Sequence, residues 1–177
     1  RLFEEGNLRL RAMTGTEEDL ARMHRWLNDP EVLAYWDGRD NPYSLERVRA
    51  NFSPQTDEDK GERRCFAELS GEPIGYVQFY PLDAQTLELY GVPEQEPGYG
   101  IDLFLAGEAV RGRGIGTRLM TGLLRYLFEA QAARVVCIDP QTWNARAIGC
   151  YLKCGFEPVK VLEGHEWHEG AWRDNLI

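Results

Sequence analysis

Apolar and polar residues alternate over Leu8-Arg9-Leu10-Arg11-Ala12-Met13, the period of a half-buried strand. The period then lengthens. Thr16, with Asp19 three residues on, opens a helix in the manner of a capping box. Leu20, Met23 and Leu27 share one face of that helix, and Asp29-Pro30 ends it. A short aromatic segment from Val32 to Trp36 is closed by Asp37-Gly38, and Ser44 is placed to cap a helix whose Leu45, Val48 and Phe52 face inward. Arg63–Leu69 and residues 74–80 read as a hairpin turned by Ser70-Gly71-Glu72-Pro73. Residues 81–98 show no period and read as a long loop carrying Asp83, Glu88, Glu94 and Glu96. A strand follows over 99–105, and then a helix with Ile115, Leu119, Leu123 and Leu127 on one stripe. Residues 135–138 form a short apolar strand, and 144–153 a helix stopped by Gly155. Residues 156–162 and the last residues read as closing strands. This order predicts one α+β domain over residues 1–177, with a mixed central sheet and helices on both faces.

Charge narrows the class of partner. The 177 residues hold 20 basic and 29 acidic side chains, a formal net charge of −9. Nucleic acid binding needs a basic face, so it is not expected. An acidic cleft concentrates cations, so a cationic substrate fits better, although acidity kept for solubility alone accounts for the charge equally well. No apolar run is long enough to cross a bilayer, so no membrane partner is expected. Cys65, Cys137, Cys150 and Cys154 have neither disulfide-framework nor zinc-ribbon spacing and read as reduced thiols in a cytoplasmic protein. A monomer or a homodimer is expected.

The densest chemical signal is Arg111-Gly112-Arg113-Gly114-Ile115-Gly116-Thr117, between the 99–105 strand and the long helix. Amides at a helix N-terminus lack internal partners and carry partial positive charge, and glycines let an anion approach them. A diphosphate fits such a cradle. No Lys-Ser/Thr follows, so it is not a nucleoside-triphosphate loop, and the glycine spacing departs from that of dinucleotide folds. The run resembles the Gln/Arg-x-x-Gly-x-Gly/Ala signature of the GNAT acyl-CoA acyltransferases. The helix from Asn144 through Ala147 and Tyr151 to Gly155-Phe156 is similar to the family's Asn-x-x-Ala-x-x-x-Tyr-x-x-x-Gly-Phe pattern at every position. Asn144 and Tyr151 are seven residues apart and share a helix face, and Ala147 keeps that face low.

Further segments, in order along nearly the whole chain, resemble the aminoglycoside 6′-N-acetyltransferases. They are Trp26-Leu27-Asn28, Tyr35-Trp36-Asp37-Gly38, Gly71-Glu72-Pro73-Ile74-Gly75-Tyr76, Tyr99-Gly100-Ile101-Asp102, Ile138-Asp139-Pro140 and His165-Glu166-Trp167-His168-Glu169-Gly170. Leu103 departs from a frequent Gln, and Asp37 from a common Gly. The resemblance implies the GNAT fold, acetyl-CoA as co-substrate without a metal, and acetyl transfer to the 6′-amino group of aminoglycoside antibiotics, a resistance activity. Cofactor contacts would come from Leu103, Leu105, the 111–117 loop, Asn144, Ala147 and Tyr151.

A protonated amine cannot attack, so a base must take its proton. Asp102, just ahead of the loop, is the first candidate, and Glu96 the second, as base or substrate clamp. Asp139 ends the next strand and would face the acceptor. Tyr151 would protonate the departing thiolate, and an amide near Leu103 would hold the oxyanion. Tyr35 and Trp36 could stack on a sugar ring or pack in the core, and Asp37 lies beside them. The His165-to-Glu169 run lacks metalloprotease spacing, so no metal is expected. Cys150 and Cys154 read as packing residues. Two alternatives stay open: the same fold with a peptide N-terminus, polyamine or siderophore precursor as acceptor, and a non-catalytic acyl-CoA sensor, against which Tyr151 argues.

Overall fold

The computed structural model describes residues 2–53, 61–107, 110 and 112–177. Its central sheet has six strands: β1 (Phe3–Glu5), β2 (Leu8–Ala12), β3 (Arg63–Leu69), β4 (Glu72–Leu82), β5 (Gly98–Leu105) and β6 (Val135–Cys137). They lie in chain order, antiparallel except for the parallel pair β5–β6. The helices are α1 (Glu17–Trp26), α2 (Pro30–Leu33), α3 (Leu45–Asn51), α4 (Ala84–Leu89), α5 (Ile115–Glu129) and α6 (Ala145–Lys153). A separate hairpin, β7 (Val161–His168) and β8 (Ala171–Leu176), follows.

Strand alternation gives the sheet two apolar faces. Leu8, Leu10, Val77 and Ile101 pack against Leu119, Leu123 and Leu127 of α5. The intervening Phe66, Tyr76 and Phe104 pack against Met23, Leu27 and Val48 of α1–α3. Each fully buried side chain of this kind contributes about 1.5–3 kcal/mol relative to exposure. Asp102 lies in phase with Phe104, so β5 turns it to the α1–α3 face.

The capping residues act where the sequence places them. Thr16 Oγ1 accepts from the Asp19 amide at 3.3 Å, and Ser44 Oγ from the Arg47 amide at 3.1 Å. Four expectations need correction. Residues 81–98 are not a plain loop: β4 runs on to Leu82, and Asp83 caps α4 by accepting from the Thr86 amide at 2.7 Å. Asp29 does more than stop α1; it caps α2 through the Glu31 amide at 3.0 Å, so the aromatic segment begins in a helix. Leu45 is 38% exposed because α3 begins there, ahead of the buried Val48 and Phe52. The closing strands start at Val161 and pair with each other, joined to the rest by a Gln141–Asn175 bridge. β1 is an addition to the expected elements, too short for its period to register.

The feature that matters for function is the short β5–β6 pairing. Gly98, Tyr99 and Gly100 pair with Val135, Val136 and Cys137, and there the ladder stops. Beyond Gly100 the two strands part, and α5 is the next helix in the chain after the parting strand.

Candidate active site

The parted strands open a cleft of about 690 Å³, a size suited to a small-molecule ligand. One half of its wall is mostly backbone. The Ala106 amide donates to Ile74 at 2.8 Å, so even-numbered residues of β5 bond β4. Alternation then turns the Leu103 and Leu105 amides to the edge that β6 has left. Gly112 (φ 71°) and Gly114 (φ 70°) hold the left-handed conformation that brings the chain into α5. Gly114 caps α5 without a side-chain hydrogen bond, so the first-turn amides of a 15-residue helix face the cleft uncapped by a side chain. Ile115, Gly116 and Thr117 line the cleft as well. Arg113 is exposed and outside the lining, and Arg111 lies outside the described residues.

Across from the loop, Asn144, Ala147 and Tyr151 of α6 line the same cleft. Asn144 Oδ1 accepts the Ala147 amide at 3.3 Å, so this residue caps its own helix. Cys150 packs toward α5, 3.6 Å from Thr117 Oγ1. Burial and the neighbouring Cys150, Asp102 and Asp139 push the Tyr151 phenol above its ordinary range. It therefore stays protonated at neutral pH and can give a proton.

The other half of the cleft is a set of carboxylates and rings. Gln78 Nε2 donates to Asp102 at 2.8 Å, and the buried Tyr76 hydroxyl donates to Gln78 Oε1 at 2.7 Å, so the carboxylate is held by an oriented amide. Tyr80 also donates to Asp102. Its ring lies over Gly100, where a Cβ would come within 2.4 Å of it, so a glycine is needed for this crossing. Burial raises Asp102 against those donors, with the Glu166 charge adding to it. Asp139 is pushed up to about 7, first by burial and then by the charges of Asp102 and Glu166, against a hydrogen bond from Tyr90. Glu166, on β7, accepts from Gln141 and, at 3.3 Å, from Asn175. Three carboxylates thus face one another in a partly dry cleft, an arrangement that a multiply charged cation relieves.

The structure therefore brings together Asp102, Asp139, Tyr151, Tyr35, Trp36 and Asp37, all in the lining. It modifies the roles of the last two. Trp36 packs edge-on against Tyr76 and Phe104, at 5.7 and 5.3 Å, so it is a core ring with one edge in the cleft. The Asp37 carboxylate accepts from Tyr43 and lies 3.7 Å from Arg47, so its charge is partly spent locally. Glu96 is not brought in: it is exposed in the turn before β5 and outside the lining. Folding the segment before it into α4 leaves Glu96 beyond the paired end of β5, away from the parting. Sequence reasoning missed Glu166, Gln78, Tyr80 and Trp143. Hairpin register opposite Asp102 and Gly100 signals Gln78 and Tyr80. Glu166, 64 residues from Asp102, lies in the His165-to-Gly170 segment, but nothing local in that segment marks it as a cleft residue. Among the described residues no His/Cys/Asp/Glu group could hold a metal ion, and no helix is long and apolar enough to cross a membrane.

This geometry has known counterparts. Residues 15–163 match the family model described as an acetyltransferase (GNAT) domain. Aminoglycoside N(6′)-acetyltransferase type 1 of Klebsiella pneumoniae is 36% identical over 143 residues, 80% of this chain and 71% of the relative. The crystal structure of aminoglycoside acetyltransferase AAC(6′)-Ib with coenzyme A and kanamycin superposes with a TM-score of 0.72 at 33% identity, over 95% of this chain and 93% of that one. Spermidine N-acetyltransferase of Vibrio cholerae, with a TM-score of 0.75 at 20% identity, over 97% of this chain and 94% of that one, shares the fold. The chain is a GNAT acetyltransferase and belongs to the aminoglycoside N(6′)-acetyltransferase family.

Proposed function

We propose that this acetyltransferase moves the acetyl group of acetyl-CoA to the 6′-amino group of an aminoglycoside by direct attack, and so confers resistance. The observation that carries the reading is the meeting of Asp102, Asp139 and Glu166 in the cleft opposite the glycine loop. An anion-binding helix start and a carboxylate cluster on facing walls suit an anionic donor and a polycationic acceptor. The residues fit the donor: the Gly112–Gly114 turn and the α5 amides would take the diphosphate. The amides at Leu103 and Leu105 and the low Ala147 face would take the arm. Acetyl-CoA supplies the activated acetyl group.

In this scheme Asp139 and Glu166 hold substrate ammonium groups, and Asp102 accepts the proton of the reacting amine. Its raised affinity for a proton brings it nearer to the working pH, where a base is most effective. The Leu103 amide faces the carbonyl oxygen that gains charge. Tyr151 gives its proton to the departing sulfur. The four free cysteines and this co-substrate suit a cytoplasmic enzyme.

A thiol-release assay with acetyl-CoA and a panel of kanamycin-type aminoglycosides, polyamines and peptides tests the reading. Release with the 6′-amino aminoglycosides is expected. No release with any of them, at ample enzyme, contradicts it, and release only with spermidine reassigns the acceptor.

A further inference from the structure

Two exposed rings bridge the acceptor side of the cleft. Tyr35, just after α2, stacks on Trp143, in the connection between β6 and α6, with ring centroids 5.3 Å apart and planes inclined by 28°. They stand 108 positions apart in the chain, and both line the cleft. They remain 49% and 44% exposed, whereas the adjacent Trp36 is packed into the core. Trp143 is the better anchored of the two. Its indole N–H donates to Gln141, and the amide of that buried glutamine donates to Glu166. Its ring also leans on the buried His168, at 5.9 Å. Rotating the indole away would leave the buried Gln141 oxygen without this donor.

We infer that Trp143, fixed through Gln141 to Glu166 and stacked on Tyr35, is a specificity-determining residue that limits acceptor size. The proposal rests on the aminoglycoside reading above. An acceptor that fits beneath the rings places its ammonium groups on the carboxylates at no cost to the stack. A longer acceptor must part Tyr35 from Trp143, because the Trp143 side is tied. An aromatic pair of this kind is worth a factor of roughly two to ten. The same bonds couple size to charge, since Glu166 both faces the acceptor and sets the indole.

The test compares kcat/KM for a two-ring and a four-ring aminoglycoside carrying the same 6′-amino ring, in the parent, Trp143→Ala, Trp143→Phe and Tyr35→Ala. The four-ring to two-ring ratio should rise about two- to tenfold in Trp143→Ala and in Tyr35→Ala. It should rise less in Trp143→Phe, which keeps a ring but loses the N–H anchor. The KM for acetyl-CoA should stay at the parental value. Should Trp143→Ala not fold, Trp143→Phe and Tyr35→Ala carry the same readout. An unchanged ratio with intact turnover overturns the size limit while leaving the reaction in place. No turnover of either acceptor by the parent overturns the aminoglycoside reading, and this inference with it.

Discussion

The two halves of the cleft are built on different plans. The donor half is backbone and small residues, drawn from two stretches of chain, Leu103–Thr117 and Asn144–Tyr151. The acceptor half is side chains: Tyr35, Gln78, Tyr80, Asp102, Asp139, Trp143 and Glu166, drawn from segments spread over the chain. A backbone site depends on conformation and tolerates many neighbouring side chains. A side-chain site depends on each residue and on the partners that orient it. The donor site is therefore the part that a family can hold constant, and the acceptor site the part that can be retuned residue by residue.

That contrast can be broken experimentally. Asp102→Asn keeps the shape and the Gln78 contact but removes the base. Turnover should fall about 10²–10⁴-fold, with the KM for acetyl-CoA unchanged, as read by thiol release. Equal turnover in variant and parent would remove Asp102 from the chemistry.

Asp139→Asn probes the repulsion among the carboxylates. The Asp139 pKa is raised from an ordinary 3.8 to about 7, so the folded protein binds more protons than the unfolded chain between these values. Its contribution to stability is present at low pH and is lost as pH rises through about 7. The variant should thus be more stable than the parent at pH 8, by about 2–4 kcal/mol, and equal to it near pH 4. Thermal unfolding at the two pH values checks this. In the parent, acceptor turnover should rise with pH through about 7, as Asp139 ionises. In the variant, that limb should move to lower pH.

Tyr151→Phe should cost less. A thiolate leaves without much help, so turnover should fall about ten- to a hundredfold, with both KM values near parental. A change in KM alone would make Tyr151 a binding residue and not a proton donor.

The same contrast governs what the sequence shows. The donor half was legible because its residues are contiguous: the glycine run and the Asn144-to-Tyr151 spacing each lie within one strand-to-helix junction or one helix. The two sheet faces were legible for a similar reason, since Leu8 and Leu10, or Leu119 and Leu123, declare their face by period alone. Asp102 and Asp139 were readable because each sits at a marked strand position. Glu166 was not, because its place depends on a hairpin that joins no strand of the main sheet and meets the segment after β6 through the Gln141–Asn175 bridge and the Leu176–Pro140 hydrogen bond. Trp143 was hidden beside Asn144, since its role comes from Gln141, Tyr35 and His168, which only folding brings to it. The place of Glu96 outside the lining was not legible because the helix ahead of it, α4, lacks a clear apolar period, and the acidic segment read as a loop.

The most direct test of a donor half independent of its acceptor half is calorimetric titration of the Asp102→Asn/Asp139→Asn double variant. The protein should bind coenzyme A with parental Kd, within about twofold, and lose measurable aminoglycoside binding. A coenzyme A Kd that weakens in step with the aminoglycoside Kd, in a variant whose thermal transition is no lower than the parent's, would contradict the account.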